Sequence, residues 1–302
     1  VNPAPYIGRF APSPSGPLHF GSLIAALASY LDARSQNGRW LVRMEDIDEP
    51  RCIPGADQLI LKALEAHGLG WDGEVVYQSQ RHTLYADTVD ALLASQDAYY
   101  CTCTRKQIKA QGGAYPGTCR DAGHGPQNAA IRLRVKTPIT RFEDAIRGLV
   151  TINDPHALED TIIKRRDGLF AYNLVVVLDD IAQGVNHIVR GSDLLSTTAA
   201  HLSLYHRLSE KPPKYAHIPV AATTPGRKLS KQNRAKALDL NRVEANMRQA
   251  LAFLNMVPPW PDKEDTLSGL LAWARSQWEY KTLPQCGEII VAERDSPYHN
   301  GL

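Results

Sequence analysis

The chain has 302 residues, 43% of them hydrophobic and 22% charged, with a formal net charge of +2. This balance is ordinary for a soluble globular enzyme, and the length suffices for a substantial core in two or three units. No apolar run approaches the roughly 20 residues that span a bilayer, and the opening residues lack the regions of a signal peptide, so a cytoplasmic protein without membrane association is expected.

Residues 6–10 form a short apolar run that stops at Pro12 and Pro14, which predicts a strand ending in a loop. Residues 20–36 then place Leu23, Leu27, Tyr30 and Leu31 on one face of a helix that Gly38 ends. A second strand at 40–44 runs into Glu45-Asp-Ile-Asp. Strand, helix and strand in this order predict a parallel βαβ unit, whose ligands bind beyond the carboxyl ends of the strands. That rule gathers Arg9, Ser13, His19 and Glu45 around one crevice. Helices are expected near 56–67 and 81–95. From about Tyr99 to Ile163 the pattern breaks into cysteines, glycines and short alternating runs such as 131–135, which reads as an insertion. Helical periodicity returns at 170–182, followed by a strand at 187–190, a helix at 196–208 and a last strand at 217–221. Beyond Ala235 the chain reads as mostly helical to its end. The expected fold is α/β: a Rossmann-like parallel sheet in two halves, 1–98 and 166–234, an inserted α/β subdomain at 99–165, and a short C-terminal helical region at 235–302.

Charge is unevenly placed. Between 105 and 147 lie Arg105, Lys106, Lys109, Arg120, Arg132, Arg134, Lys136, Arg141 and Arg147, opposed within that stretch only by Asp121, Glu143 and Asp144. Such a stretch suits either a solvated face or contacts to a phosphate backbone. The five cysteines are also uneven, with Cys101, Cys103 and Cys119 close together. In a cytosolic chain three thiolates favour a metal over a disulfide framework, and structural zinc takes four ligands. Tyr115 and His124 are the candidates for the fourth. General chemistry favours His124, because phenolate is an uncommon zinc ligand.

The chain has neither a G-x-x-x-x-G-K-[ST] loop nor a convincing G-x-G-x-x-G, so any ATP chemistry needs other residues. Two short segments suit it. Residues 15–22 read Ser-Gly-Pro-Leu-His-Phe-Gly-Ser. Gly16 and Gly21 permit close approach of the backbone, the following helix start favours a phosphate, and His19 can donate to a phosphate oxygen. Residues 228–231 read Lys-Leu-Ser-Lys after Thr-Thr-Pro-Gly, a loop able to close over a triphosphate.

In this order the two segments resemble the paired signatures of class I aminoacyl-tRNA synthetases. Arg9-Phe-Ala-Pro-Ser-Pro-Ser-Gly-Pro-Leu-His-Phe-Gly-Ser, Arg43-Met-Glu-Asp-Ile-Asp, Arg190-Gly-Ser-Asp-Leu-Leu and Lys228-Leu-Ser-Lys resemble the glutamyl branch in particular. Ser22 stands where the wider class has a second histidine, and Leu229 replaces a methionine; both look normal for that branch. The resemblance implies a glutamate site from Arg9, Phe10, Ala11, Pro12, Ser13, Glu45, Tyr172 and Arg190. It implies an ATP site from Gly16, His19, Gly21, Ser22, Leu229, Ser230 and Lys231, with His19, Lys228 and Lys231 catalytic and Mg²⁺ on the phosphates. The residue types agree: Arg9 and Arg190 offer forks for carboxylates, Glu45 an anion for an ammonium, and Tyr172 a hydroxyl. Tyr115-Pro-Gly-Thr-Cys119 resembles a tyrosine-x-x-x-cysteine element of one branch, which moves the expected fourth zinc ligand to Tyr115.

Only 71 residues, 232–302, follow Lys231, fewer than a connecting and an anticodon-reading domain need. With the Cys-x-Cys and Tyr-x-x-x-Cys pattern, this resembles the glutamyl-queuosine tRNA(Asp) synthetase family. The resemblance implies tRNA-independent activation of L-glutamate by ATP and transfer to queuosine in the anticodon stem-loop of tRNA(Asp), by a monomer. The alternatives are a truncated enzyme charging a tRNA 3′ end, a glutamate ligase acting on a small amine, and a tRNA-binding module without catalysis.

Overall fold

The computed structural model describes residues 4–230 and 235–291. Its strands are β1 (Ile7–Phe10), β2 (Arg39–Met44), β3 (Val76–Tyr77), β4 (Ala98–Cys101), β5 (Ala130–Leu133), β6 (Arg141–Asp144), β7 (Gly148–Thr151), β8 (Ile162–Lys164), β9 (His187–Gly191), β10 (Lys214–Ile218), β11 (Val220–Thr224), β12 (Arg227–Lys228) and β13 (Glu288–Ile290). Its helices are α1 (Phe20–Ser35), α2 (Ala56–Ala66), α3 (His82–Ala94), α4 (Arg105–Ala110), α5 (Pro155–Leu158), α6 (Tyr172–Ala182), α7 (Thr198–Arg207), α8 (Val243–Phe253) and α9 (Leu267–Gln277).

β1, β2 and β3 form a parallel sheet in that order, with Ile7 opposite Arg39 and Arg43 opposite Val76. β9 and β10 are likewise parallel, with Lys214 opposite His187. Asn186 ties the two sheets together: its N–H donates to the Ile7 carbonyl at 3.0 Å, and its side-chain oxygen accepts from Ile7 N at 2.8 Å. The expected βαβ unit is therefore present, and α1 packs beside it. Leu23, Leu27 and Leu31 of α1 are fully buried against β1, β2, α8 and α9. Each such side chain contributes roughly 1.5–3 kcal/mol of burial. No helix among the described residues is long and apolar enough to cross a membrane.

Three features differ from the sequence expectation. The single strand expected at 217–221 is two, because Pro219 interrupts the run; β10 and β11 then join different sheets. The C-terminal region is not helical throughout, since β13 pairs parallel with β11, Val220 opposite Glu288. The stretch 99–165 feeds two sheets. β4, β5 and β8 form an antiparallel sheet of their own, whereas the β6–β7 hairpin, turning at Gly148 (φ 70°), lies beside β10 with Asp144 opposite Tyr215.

One buried carboxylate joins the C-terminal region to this frame. Asp32 of α1, 1% exposed, accepts from the hydroxyls of Tyr6 and Tyr280 (2.7 Å from Tyr280) and from the Trp278 indole N–H at 2.9 Å. Removing it strands three donors together. Asp32→Ala is expected to lower unfolding free energy by about 3 kcal/mol in urea titrations, a loss within 1 kcal/mol of zero being inconsistent with this role.

Candidate active site

Beyond the carboxyl ends of β1, β2, β9 and β10 lies a cavity of about 360 Å³. Arg9, Phe10, Ala11, Pro12, Ser13, Glu45, Tyr172 and Arg190 all line it. So do His19, Gly21, Ser22, Lys228, Leu229 and Ser230, so the segments around His19 and Leu229 face the first set of residues across one space. Gly16 is the exception. It is buried in the loop before α1 with φ 149°, a conformation L side chains rarely adopt, and is absent from the cavity wall. Lys231 lies outside the described residues.

These two segments approach each other closely. A Cβ on Gly21 would sit 3.1 Å from the His19 ring and 3.3 Å from the Leu229 carbonyl oxygen, so glycine lets the segments close on each other. Leu229 is fully buried in the main core, which anchors the loop. His19 is the N-cap of α1, and its Nδ1 accepts a long 3.4 Å bond from Ser22 N–H. With Nδ1 in that role, Nε2 is the ring nitrogen placed to donate. Lys228 pairs with Asp193, another residue of the cavity wall.

At the amino-acid end the charges are arranged in two contrasting ways. Arg9 presents its fork to Asp180 of α6, Nε and Nη2 each 3.0 Å from a carboxylate oxygen. Arg43, which is fully buried, also reaches Asp180 at 2.9 Å and lies 3.5 Å from Glu45. Asp179 is held by Tyr85 at 2.6 Å, Gln78 at 3.0 Å and Arg81. Burial alone would raise the Asp180 carboxyl, but Arg9 and Arg43 outweigh it and hold the group below the usual carboxylate range. Glu45 is less well compensated: burial pushes it up to about 7, and the pull of Arg43 and Arg9 offsets only part of that rise. Its Oε2 is buried without a hydrogen-bond partner among the described residues.

Arg190 is different. It is 4% exposed and stacks over Tyr215 at 5.0 Å. Its Nε donates to His217 Nε2 at 3.0 Å, Nη1 to His201 Nδ1 at 3.1 Å, and Nη2 to Thr198 Oγ1 at 2.8 Å and the Leu194 carbonyl at 3.4 Å. Both imidazoles are kept neutral, His217 chiefly by burial and His201 by burial and the nearby Arg190. Among the described residues Arg190 thus has four neutral acceptors, no carboxylate partner, and one of its five N–H groups left over. A buried cation without an anion is costly and suits a carboxylate ligand.

Sequence reasoning missed Arg43, Asp179, Asp180, His201 and His217. A signal existed: two adjacent aspartates inside Leu-Val-Val-Val-Leu-Asp-Asp-Ile-Ala are out of place on a buried helix unless paired. Tyr172, expected to supply a hydroxyl, is the first residue of α6, is 37% exposed and lines the cavity. It also borders a second cavity of about 800 Å³ that shares Ser13, Ser15 and Glu45 with the first and extends to Asp48, Arg165 and Phe170.

The cysteines also come together. The sulfurs of Cys101, Cys103 and Cys119 lie within 4.8 Å of one another. The buried Tyr115 adjoins them, its hydroxyl accepting from Cys119 N–H at 2.9 Å while Arg132 lies 3.7 Å over its ring. His124 is exposed and outside the cluster. Burial raises Cys119, but hydrogen bonds from Thr102 and the neighbouring thiols outweigh it and bring the group to about 6. Three thiols with a phenol hydroxyl beside them could hold a thiophilic, tetrahedral cation. Part of the basic stretch serves this subdomain: Arg120 pairs with Asp160, Arg134 with Asp121, and Arg132 sits near Glu159 at 3.7 Å. Two of these partners lie beyond residue 147, which is why the stretch looked unopposed. Arg105, Lys106, Lys109, Lys136 and Arg141 remain exposed.

The chain matches the family described as tRNA synthetases class I (E and Q), catalytic domain, over residues 7–258. It is 54% identical over 288 residues to the glutamyl-Q tRNA(Asp) synthetase of Photobacterium profundum, covering 95% of this chain and 93% of that protein. Identity to the glutamyl-Q tRNA(Asp) synthetase of Escherichia coli is 51% over 280 residues, covering 93% and 91%. The fold is that of the glutamate-tRNA synthetase of Elizabethkingia anophelis, with a TM-score of 0.77 at 23% identity over 95% of this chain and 68% of that one. A cavity with an uncompensated arginine, a facing carboxylate and two apposed segments is thus set in a class I synthetase fold, and the chain belongs to the glutamyl-Q tRNA(Asp) synthetase family.

Proposed function

We propose that this protein activates L-glutamate with ATP, without tRNA, and transfers the glutamyl group to the queuosine of tRNA(Asp). The observation that carries the amino-acid half is Arg190, a buried cation with only neutral partners in the cavity that also holds Glu45. The side-chain carboxylate of glutamate takes the free N–H of Arg190, and its α-ammonium takes Glu45. Arg9, whose fork is committed to Asp180, shapes the pocket and holds Ala11 to Ser13 in place. This differs from the sequence expectation that Arg9 would receive a carboxylate directly.

The α-carboxylate of glutamate attacks the α-phosphorus of ATP in line, and the bond to the β-phosphate oxygen breaks to release pyrophosphate. The attacking carboxylate is already ionised, so positioning and charge stabilisation suffice without a general base. His19 Nε2–H and Lys228 meet the phosphate charge from the two apposed segments, with Lys231 assigned to the same task by resemblance. Mg²⁺, when bound, supplies further charge neutralisation on the phosphates. A hydroxyl of queuosine then attacks the carbonyl of the adenylate; the new ester bond forms, AMP leaves with the electron pair, and the hydroxyl proton passes to the departing phosphate.

The second cavity, sharing Ser13, Ser15, Glu45 and Tyr172 with the first, is the place for the acceptor base, entering from the anticodon stem-loop. The exposed basic residues of 105–141 face the tRNA backbone. Zinc held by Cys101, Cys103, Cys119 and Tyr115 is structural and keeps that subdomain folded, outside the activation chemistry.

Labelled glutamate, ATP and tRNA(Asp) with or without queuosine test the proposal. Label confined to the queuosine nucleoside is expected; label at the 3′ end, or label independent of queuosine, contradicts it. Arg165→Ala, at the rim of the second cavity, is expected to slow transfer about tenfold while leaving glutamate-dependent pyrophosphate exchange within twofold. A parallel loss of both rates contradicts the assignment of that cavity.

A further inference from the structure

The seat of Arg190 is built outward in a definite order. Asp144, at the end of β6, is fully buried with His217 of β10. Its Oδ1 accepts three backbone N–H groups, from Ile146 at 3.0 Å, Arg147 at 2.9 Å and His217 at 3.3 Å. Its Oδ2 lies 2.6 Å from His217 Nδ1. The carboxylate has no proton to give, since hydrogen bonding to His217 and those backbone groups outweighs burial and keeps it ionised. His217 Nδ1 must therefore carry the proton, which leaves Nε2 as the acceptor that Arg190 Nε–H requires at 3.0 Å. The second imidazole is set in the same way: Asn173 gives its amide N–H to Thr161 and its oxygen to His201 Nε2, so His201 Nδ1 accepts from Arg190.

We propose that Asp144 is a positioning residue for glutamate selection: it fixes the Nδ1–H tautomer of His217 and through it the orientation of Arg190. The proposal rests on Arg190 as the glutamate side-chain site. It gives the β6–β7 hairpin, drawn from the 99–165 stretch, a role beside β10. It also explains why the cradle contains histidines and a threonine where a carboxylate would cancel the charge that distinguishes glutamate from glutamine.

Asp144→Asn makes the sharpest test. Three backbone N–H groups converge on one oxygen position, so the asparagine keeps its oxygen there and turns its NH₂ toward His217 Nδ1. Nδ1 then becomes an acceptor, the proton moves to Nε2, and two donors face each other where Arg190 Nε–H was held. A carboxylate-to-amide exchange beside a functional imidazole acts through the tautomer in the same way in the serine protease triad. His217→Gln removes the dependence, because an amide oxygen in place of Nε2 can accept from Arg190 whatever stands at 144.

The expected results are three. Nitrogen-15 NMR of the full-length protein shows His217 as Nδ1–H in the parent and Nε2–H in Asp144→Asn. Asp144→Asn raises the KM for glutamate in pyrophosphate exchange by about tenfold or more, leaves the KM for ATP within twofold, and narrows the preference for glutamate over glutamine. The same substitution in a His217→Gln background costs less than threefold. An Nε2–H tautomer in the parent overturns the proposal even if the variant does not fold. So does an unchanged glutamate KM in Asp144→Asn, or an equal loss in the His217→Gln background. If the parent shows no glutamate-dependent exchange, the glutamate reading fails, and the tautomer measurement alone still decides whether Asp144 sets His217.

Discussion

Asp180 is the constraint on which the site depends. From the last turn of α6 it binds Arg9 near the end of β1 and Arg43 near the end of β2, so one buried carboxylate fixes two neighbouring parallel strands and the helix against them. Removing a single partner would leave an unpaired buried charge, an outcome that typically costs about 3–5 kcal/mol. The same pairing distributes charge across the cavity. Arg9 and Arg43 are largely neutralised by Asp180, Glu45 is left under-compensated beside them, and Arg190 stands apart among neutral acceptors. An amino acid with an ammonium at one end and a side-chain carboxylate at the other meets complementary charge at both.

The side of the cavity around His19 and Leu229 is organised by close approach more than by charge. His19 and Leu229 come together over Gly21, the Leu238 N–H reaches the Leu18 carbonyl at 3.0 Å, and the Ala235 N–H reaches the Ser230 carbonyl at 2.9 Å. The segment after the lysine-containing loop is thereby laid against the start of α1. Asp32, with Tyr6, Trp278 and Tyr280, repeats this link at the far end of the same helix. α1 therefore connects the first strand, the loop holding Leu229 and the C-terminal region.

Much of this was legible in the sequence. The spacing of Leu23, Leu27 and Leu31 marked α1, and the short apolar runs around it marked β1 and β2 as a parallel pair. Residues close in sequence to those elements, such as Arg9, His19 and Glu45, could be gathered by the rule for ligand sites in parallel sheets. What the sequence left hidden were partners brought in from far along the chain. Arg9 was expected to bind substrate, and its partner Asp180, 171 positions away, could not be foreseen. Arg120 and Arg132 were read as possible phosphate contacts because Asp160 and Glu159 fell outside the basic stretch. Asp144 meets His217 across 73 residues, and a hairpin inside an apparent insertion gave no hint that it belonged to the main sheet. Pro219 was the local cue for two strands in place of one, whereas β13 depends on pairing with β11, which three residues alone do not announce.

The central claim is that Glu45, held near neutrality by burial, becomes the ionised partner of the glutamate ammonium. With its free-state pKa raised to about 7, Glu45 is partly protonated at neutral pH, and a cation placed beside it favours ionisation. Isothermal titration calorimetry of glutamate binding at pH 7, in buffers of different protonation enthalpy, tests this most directly. The charge arrangement predicts net proton release on glutamate binding at pH 7, diminishing at higher pH where Glu45 is already ionised. Binding with no proton exchange at pH 7, or with proton uptake, would contradict it.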